Sequence, residues 1–486
     1  MLLMIGDYVS GSVRRGAARS VSDFMNRKRE SEILIPLIYI LSLAFIVRMA
    51  VPLIVMLTIK DYSLFDSPDT SSYIKPAQEL LLHGRFYSNG LPELFRTPGY
   101  PLFLIPGILL GKVEAVTIAL QIILSCLTTY LVFKVALTLF DDTRIAAWSA
   151  FMCAIDPVSI LYASKLLSET LSTFLTILFV FYLLRYFKTE SLKMLLFASL
   201  FLSASVYVRP AGYFLPIVIF TVLLAWSLKK RRTVLFAHAF GFLVCSLFII
   251  GLWQLRNHRV ADYSGFSSVP DYNLYCYQAA SVRAIQEGMP YYEMQRSMGC
   301  PDKKIYYQNH PEQASWDRGK IYRSMGREGM KTISGNPVTY FLIHAKGMLR
   351  TFIDPGVTEY LILFKHYSWS GGLLGRILDQ GLFVTFKGFA RTMPVFLFSI
   401  FIISGLYLVV LYCAAALAIF HEDLPHSVSS AVILCIMAYY LVVSGGPVGY
   451  HRFRLPIMPL VCVFSGYGLY LLRERLSRKE KGSPLP

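Results

Sequence analysis

Ten stretches of this chain are apolar over close to the length a bilayer demands, and nothing else in the sequence constrains its fold as strongly. They run at about 33–59, 113–139, 145–163, 170–187, 191–208, 211–228, 233–254, 393–420, 427–446 and 453–473. A membrane-spanning helix needs about 20 predominantly apolar residues. Only 16% of the 486 residues are charged, too few to cover a soluble core of this size, since a soluble domain carries roughly 25%. The expected fold is an all-α polytopic membrane protein, a bundle of about ten transmembrane helices. Several runs are short, which implies tilt, local thinning or burial inside the bundle.

The formal net charge is +17. In a soluble chain that would point to nucleic acid. Here Lys and Arg gather in short loops, where they set orientation and face anionic lipid, so nucleic acid is not an expected partner. Arg14, Arg15, Arg19, Arg27, Lys28 and Arg29 precede the first run, which is too long for a signal-peptide core and is followed by no small-residue cleavage site. The stretch 99–111 is the ambiguous one, with about 13 residues and two prolines, Pro101 and Pro106. If it does not cross and the N-terminus lies inside, then Arg185, Lys188, Lys193, the Lys229, Lys230, Arg231, Arg232 cluster and the tail Arg473, Arg475, Arg478, Lys479 and Lys481 all fall inside. Residues 99–111 are therefore read as a re-entrant or interfacial helix.

This divides the chain into a basic cytoplasmic N-terminus (1–32), a transmembrane module (33–257) with a first outer loop (60–98), a large outer loop region (258–392), C-terminal transmembrane helices (393–473) and a basic tail (474–486). The large loop carries helical patches at 336–356 and 373–389, expected to lie on the membrane as amphipathic helices. A loop of that length is usually functional or folded in its own right. Cys276 and Cys300 lie in it, and can pair if it faces an oxidising compartment. The other six cysteines sit in apolar runs. No zinc-type spacing and no Walker, GxSxG, HExxH or dinucleotide fingerprint occurs.

The chemistry-bearing residues cluster at the outer ends of the runs. Asp61, Asp66 and Asp69 follow the first run. Pro68 and Asp69 are start signals for a helix that Gly84 can close, so an N-cap is the plainer reading of Asp69. A surface carboxylate can also act as a general base or hold a metal ion. Glu169 lies at the outer mouth of a run; Lys165, four residues earlier, would pair with it on one helix face. Asp156 reads as a cap beside Pro157. His238 reads as a helix-interface residue. Together with a few hydroxyls, Asp156 and His238 are the polar groups placed within the membrane. Five arginines, Arg96, Arg209, Arg256, Arg452 and Arg454, fall outside, against the charge bias. The guanidinium fork matches phosphate, so with the carboxylates they would make a site for a lipid phosphate. Snorkelling or structural pairing is the plainer reading of any one of them.

These residues resemble a known family. "SPDTSSYIKPAQELLLHGRFY", "FRTPGYPLFL", "ALQIILSCLTTYLVFKVALTLF", "LYASKLLSETL", "VRPAGYFLP", "LWQLRN", "NPVTYF" and "HRFRLPIMPL" occur in order as in the bacterial GT-C membrane glycosyltransferases, related to the dolichyl-phosphate-mannose protein mannosyltransferases and the lipid A aminoarabinose transferase. The resemblance implies a GT-C-like bundle and inverting transfer of a sugar from a polyprenyl-phosphate carrier to a glycan, lipid or protein acceptor at the outer, periplasmic face of the inner membrane. It implies that Asp69 activates the acceptor hydroxyl, that Glu169 is a second site acid, and that Arg96, Arg209, Arg452 and Arg454, with Lys165, face the carrier phosphate. The mannosyltransferases show two adjacent acids in the first loop. Here Thr70 follows Asp69 and the other acid is Asp66, which leaves the choice between them open. No cofactor is assigned. If a divalent cation takes part, Asp69 and Glu169 are its candidate ligands. A transporter or flippase of a lipid-linked glycan is the competing class, and would place polar groups at mid-membrane on several helices.

Overall fold

The computed structural model describes residues 35–366, 381, 384, 387–388, 391, 393–422, 424–425 and 427–480. The basic N-terminal residues, most of the 373–389 patch and Lys481 lie outside the described residues. The described strands are a two-residue hairpin, Tyr87–Ser88 against Leu91–Pro92. Nearly everything else is helix. In chain order these are α1 (Ile35–Thr58), α2 (Thr70–His83), α3 (Gly99–Leu109), α4 (Val113–Phe140), α5 (Thr143–Ala154), α6 (Pro157–Tyr162), α7 (Glu169–Thr189), α8 (Leu192–Val208), α9 (Leu215–Lys230) and α10 (Thr233–Ala261). The large loop then folds as α11 (Val269–Asn273), α12 (Ala280–Glu287), α13 (Tyr291–Ser297), α14 (Lys303–Asn309), α15 (Arg318–Gly335), α16 (Pro337–Ile353) and α17 (Val357–Leu363). The chain ends with α18 (Val395–Ile419), α19 (Val428–Val443) and α20 (Met458–Glu480).

This is an all-α polytopic membrane fold. By length and composition α1, α4, α7, α9, α10, α18 and α20, two of them with a leading turn, are long and apolar enough to cross a bilayer, while α3, α8 and α19 are shorter apolar helices. On α1 the exposed face is almost wholly apolar, with Ile38, Phe45, Leu53 and Leu57 all outward. An apolar face of that extent marks a surface covered by lipid or by another protein. The main apolar core joins α4, α5, α7 to α10 and α18 to α20, and a second gathers Phe65, Tyr100, Tyr162, Leu166, Tyr360 and Leu455 beneath the loops.

Two expectations change. The run 145–163 is not one helix. It breaks between α5 and α6, where Pro157 has no amide proton to continue the ladder and Asp156 accepts from the amides of Val158 and Ser159 as the cap of α6. The carbonyls of Cys153 and Ala154 left open at the end of α5 are taken by Arg48 of α1, at 3.1 and 2.8 Å, and its Nε donates to Ser125 at 2.6 Å. Arg48 is fully buried inside a membrane-length helix. The polar inventory at mid-bundle is therefore larger than Asp156, His238 and hydroxyls. His238 itself meets the Tyr186 hydroxyl at 3.3 Å, across α7 and α10. The stretch 99–111 folds as α3, whose 11 residues span about 16 Å, half a hydrocarbon core. It packs on α2, α4 and α8. Gly99 permits this, since a β-carbon there would strike the Tyr207 carbonyl.

The two ends of the bundle differ in chemistry. At one, Arg232 pairs with Glu190, tying the α7–α8 and α9–α10 turns, and Arg144 pairs with Asp142 and Glu474, tying α5 to the end of α20. The clustered Lys and Arg of the short loops lie at these turns. The opposite end carries the first loop and the large helical loop.

Candidate active site

The first loop is fastened down residue by residue. The amide of Leu166 donates to the Phe65 carbonyl at 3.0 Å, Thr70 Oγ1 donates to the Leu166 carbonyl at 3.1 Å, and Lys165 Nζ donates to the Leu64 carbonyl at 3.0 Å. These bonds hold the start of α2 over the start of α7, and so set Asp69 near Glu169.

Asp69 occupies the N-cap position of α2, as its place in the sequence suggests, but its side chain does not cap. Its Oδ1 accepts from Arg96 Nη2 at 2.6 Å and its Oδ2 from Arg452 Nη1 at 3.1 Å. Arg96 is itself placed on every side. Its Nε donates to Ser72 at 2.8 Å, its Nη1 to the Tyr73 hydroxyl at 3.0 Å, its guanidinium carbon lies 4.3 Å from the Tyr73 ring centroid, and its amide is held by Glu93. Glu169 opens α7 and pairs with Arg209, the residue that closes α8. Arg452 Nε also lies 3.8 Å from Glu169 Oε1. Arg452 thus stands between the two carboxylates, and Phe453 packs between Arg209 and Arg452. The Asp69 side chain keeps 31% of its exposure and Glu169 keeps 2%, so an incoming molecule reaches Asp69 first. Burial pushes the Asp69 carboxyl up, but Arg96 and Arg452 together outweigh it and hold it below its ordinary value.

Arg452 arrives on a 3-10 turn, His451–Ile457, fixed from the large loop. His451 Nδ1 meets Asp354 at 3.1 Å, and the Tyr450 hydroxyl donates to Glu359 at 2.7 Å. α16 lies close against the turn 445–449, where any side chain on Gly347 would enter the Gly446 backbone.

The other named residues go elsewhere. Lys165 does not share a helix with Glu169, because α7 begins only at Glu169. Lys165 is buried and pairs with Glu359 of α17 at 3.6 Å. Burial lowers its affinity for a proton, and Glu359 opposes that shift. Asp66 closes the Tyr62–Phe65 turn and has one buried oxygen without a hydrogen-bond partner. Burial and Glu114 raise its carboxyl while Lys165 opposes them. Arg454 is buried and donates from Nη1 to the carbonyls of Thr351, Phe352 and Asp354, a cap on α16. Arg256 donates to the carbonyls of Glu93 and Phe86, bracing the hairpin of the first loop. Of the five outer arginines, three therefore converge on the two carboxylates and two hold main chain. Sequence reasoning missed Glu359, Tyr73, Glu93 and His451. Only His451, adjacent to Arg452, carried a local signal.

The two carboxylates do not fit a bridging divalent cation as they stand, because the Arg452 guanidinium fills the place between them. A hard cation takes six or more oxygens, and among the described residues no group of three or more His, Cys, Asp or Glu comes together.

Residues 96–253 match the family profile described as dolichyl-phosphate-mannose-protein mannosyltransferase. No curated protein matches the chain in sequence. Among solved structures, the chain is similar to an oligosaccharyltransferase, AglB from Archaeoglobus fulgidus, in complex with an inhibitory peptide and a dolichol-phosphate, at 13% identity and a TM-score of 0.47, covering 93% of this chain and 52% of that one. It is also similar to ArnT from Cupriavidus metallidurans in the apo state, at 14% identity and a TM-score of 0.40 over 90% of this chain and 60% of that one, and to the same protein bound to undecaprenyl phosphate, at a TM-score of 0.35, 14% identity and coverage of 90% and 79%. The chain spans about half the length of the oligosaccharyltransferase.

Proposed function

We propose, since residues 96–253 match the dolichyl-phosphate-mannose-protein mannosyltransferase profile, that this is a GT-C-type membrane protein that transfers a sugar from a polyprenyl-phosphate carrier to an acceptor hydroxyl at the outer face of the inner membrane. The observation that carries this reading is the convergence of Arg96, Arg209 and Arg452 on Asp69 and Glu169 at the loop-bearing end of the bundle. Three guanidiniums against two carboxylates leave a local excess of cation, which suits a phosphate.

The reaction needs little else. The acceptor oxygen attacks the anomeric carbon from the face opposite the carrier, its bond to the carrier phosphate breaks, and configuration inverts. The proton goes to Asp69 and the electron pair leaves on the phosphate. That leaving group is already a weak base, so it needs charge stabilisation more than an acid. Arg452 and Arg209 are placed to supply it. A carboxylate gripped by two guanidiniums is a poor base. A phosphate offers arginine a bidentate partner, so donor binding would draw Arg452 off Asp69 and raise its basicity just when the acceptor needs it. No step is assigned to a metal ion.

Two features support an outward-facing site. The basic turns lie at the other end of the bundle, and Cys276 and Cys300 are disulfide-bonded in the large loop, with Cα atoms 5.4 Å apart. Disulfides persist in oxidising compartments. A reporter fused near Lys230 should read cytoplasmic; a periplasmic reading would invert the topology. The transferase itself is tested by incubating the purified protein with a panel of polyprenyl-phosphate sugars and following release of carrier phosphate. Movement of intact donor across a vesicle membrane without release would make it a transporter instead.

A further inference from the structure

The large loop delivers one more set of side chains to the site. Its first helical stretch runs along α15, and Gly326 and Gly329 make the approach close enough that a β-carbon on either would strike Asp271 or the Leu274 backbone. The stretch then widens into a π-turn, Leu274–Ala279. Such a turn inserts a residue and re-aims the side chains beyond it. It is pinned by the Cys276–Cys300 bond, by Gln295 donating to the Cys276 carbonyl at 2.8 Å, and by the Tyr272 hydroxyl donating to the Cys300 carbonyl at 3.0 Å.

The result is a row of rings that starts at the Arg96 guanidinium. The Arg96 guanidinium lies 5.1 Å from the Phe95 ring centroid. The Phe95 and Tyr272 centroids are 5.6 Å apart, edge to face, and the Tyr272 and Tyr277 centroids 5.8 Å apart. All three rings are half-buried. Phe95 is fixed through its main chain, its amide donating to Glu93 at 2.7 Å and its carbonyl accepting from Ser267 at 2.8 Å. Burial, helped by the Asp69 charge, pushes the Tyr277 phenol up, and Arg452 and Arg96 oppose the shift. Nearby, the Tyr291 hydroxyl is buried with no hydrogen-bond partner.

We propose that Phe95, Tyr272 and Tyr277 form an acceptor subsite for a carbohydrate ring, so that the hydroxyl receiving the sugar belongs to a glycan or glycolipid head group. This rests on the transferase reading above. A pyranose ring has apolar C–H faces rimmed by hydroxyls. Aromatic faces bury the former, and the Tyr277 hydroxyl with the Arg96 N–H groups not given to Ser72, Tyr73 and Asp69 bonds the latter. Main-chain bonding to a strand edge, one common mode of holding an extended peptide, has little to work with among the described residues, where the strands are the two-residue hairpin.

The test uses the full-length protein, a donor chosen from the carrier-linked panel, and two acceptor sets, short oligosaccharides and serine- or threonine-containing peptides. Sugar should pass to saccharides. Tyr277→Leu and Phe95→Leu should each raise the saccharide KM by about tenfold with little change in kcat, the loss expected of one stacking contact, while Tyr277→Phe keeps most of the affinity. Transfer to peptides alone, or an unchanged KM in both Leu variants, overturns the proposal. A donor that releases carrier phosphate to water but to no saccharide overturns the acceptor class only. A donor inert under every condition sinks the transferase reading instead. If the Leu variants fail to fold, Tyr277→Trp supplies a second readout: saccharides should change its fluorescence, and no change across the panel counts against the subsite.

Discussion

Two groups of arginine do opposite things. Arg96, Arg209 and Arg452 end on carboxylates at the mouth of the bundle. Arg48, Arg256 and Arg454 end on main-chain carbonyls at a helix break, a hairpin and a helix terminus. A carbonyl partner is fixed in the fold and cannot be exchanged without opening it. A carboxylate partner can be traded for a phosphate, because both accept the same planar fork. The partner, and not the arginine, separates a site from a brace.

That comparison can be broken at several points. Asp69→Asn removes the proposed base, and transfer should fall by about 10²- to 10⁴-fold while thermal unfolding stays as in the unaltered protein; full transfer by the purified variant would end its assignment. Arg452→Gln should lower kcat/KM for the donor by roughly 10²-fold, in the range of one lost oxyanion-type contact, again with stability preserved. If stability collapses instead, Arg452 belongs with the braces. Arg454→Met should do the reverse, costing about 3 kcal/mol of stability by leaving carbonyls unsatisfied, with kcat/KM per folded molecule unchanged. A raised donor KM would return Arg454 to the phosphate site. A subtler effect is on pH. Asp69 is held below its ordinary value by its arginines, so the acid limb of the kcat/KM profile, which reports the free enzyme, should lie below the usual carboxylate range. Arg96→Gln removes a charge that favours the ionised form, so the limb should move to higher pH. An unmoved limb means Asp69 does not govern it. The smallest effect is expected from a chelator, which should leave the rate unchanged because Arg452 fills the place between Asp69 and Glu169. Loss of activity restored by a divalent ion would show that this guanidinium moves aside for metal.

The helices were legible because each apolar run reports its own solvent, and that needs no knowledge of the neighbours. The break at Asp156 and Pro157 was half legible, since cap and proline were named but the run was still read as one span. Arg48 was invisible for a different reason. Surrounded by apolar residues, it looks like a flaw in a span, and its partners on other helices lie 77 to 106 residues away. The site was legible where residue chemistry stood against topology, as for Asp69, Glu169 and the outer arginines. It was not legible in the sorting of those arginines, nor in the Lys165 pair, because spacing of four means a shared face only inside a helix, and α7 begins too late. Glu359 lay in a loop whose fold no period announces.

Arg452 is separated from Asp69 by 383 residues. The chain is made in order, so the two carboxylates emerge long before the cation that joins them. Until the His451–Ile457 turn emerges they can only be matched in part, by Arg96 and Arg209. That turn therefore closes the constellation like a clasp. A chain stopped short of it holds both acids and the first loop but lacks their link.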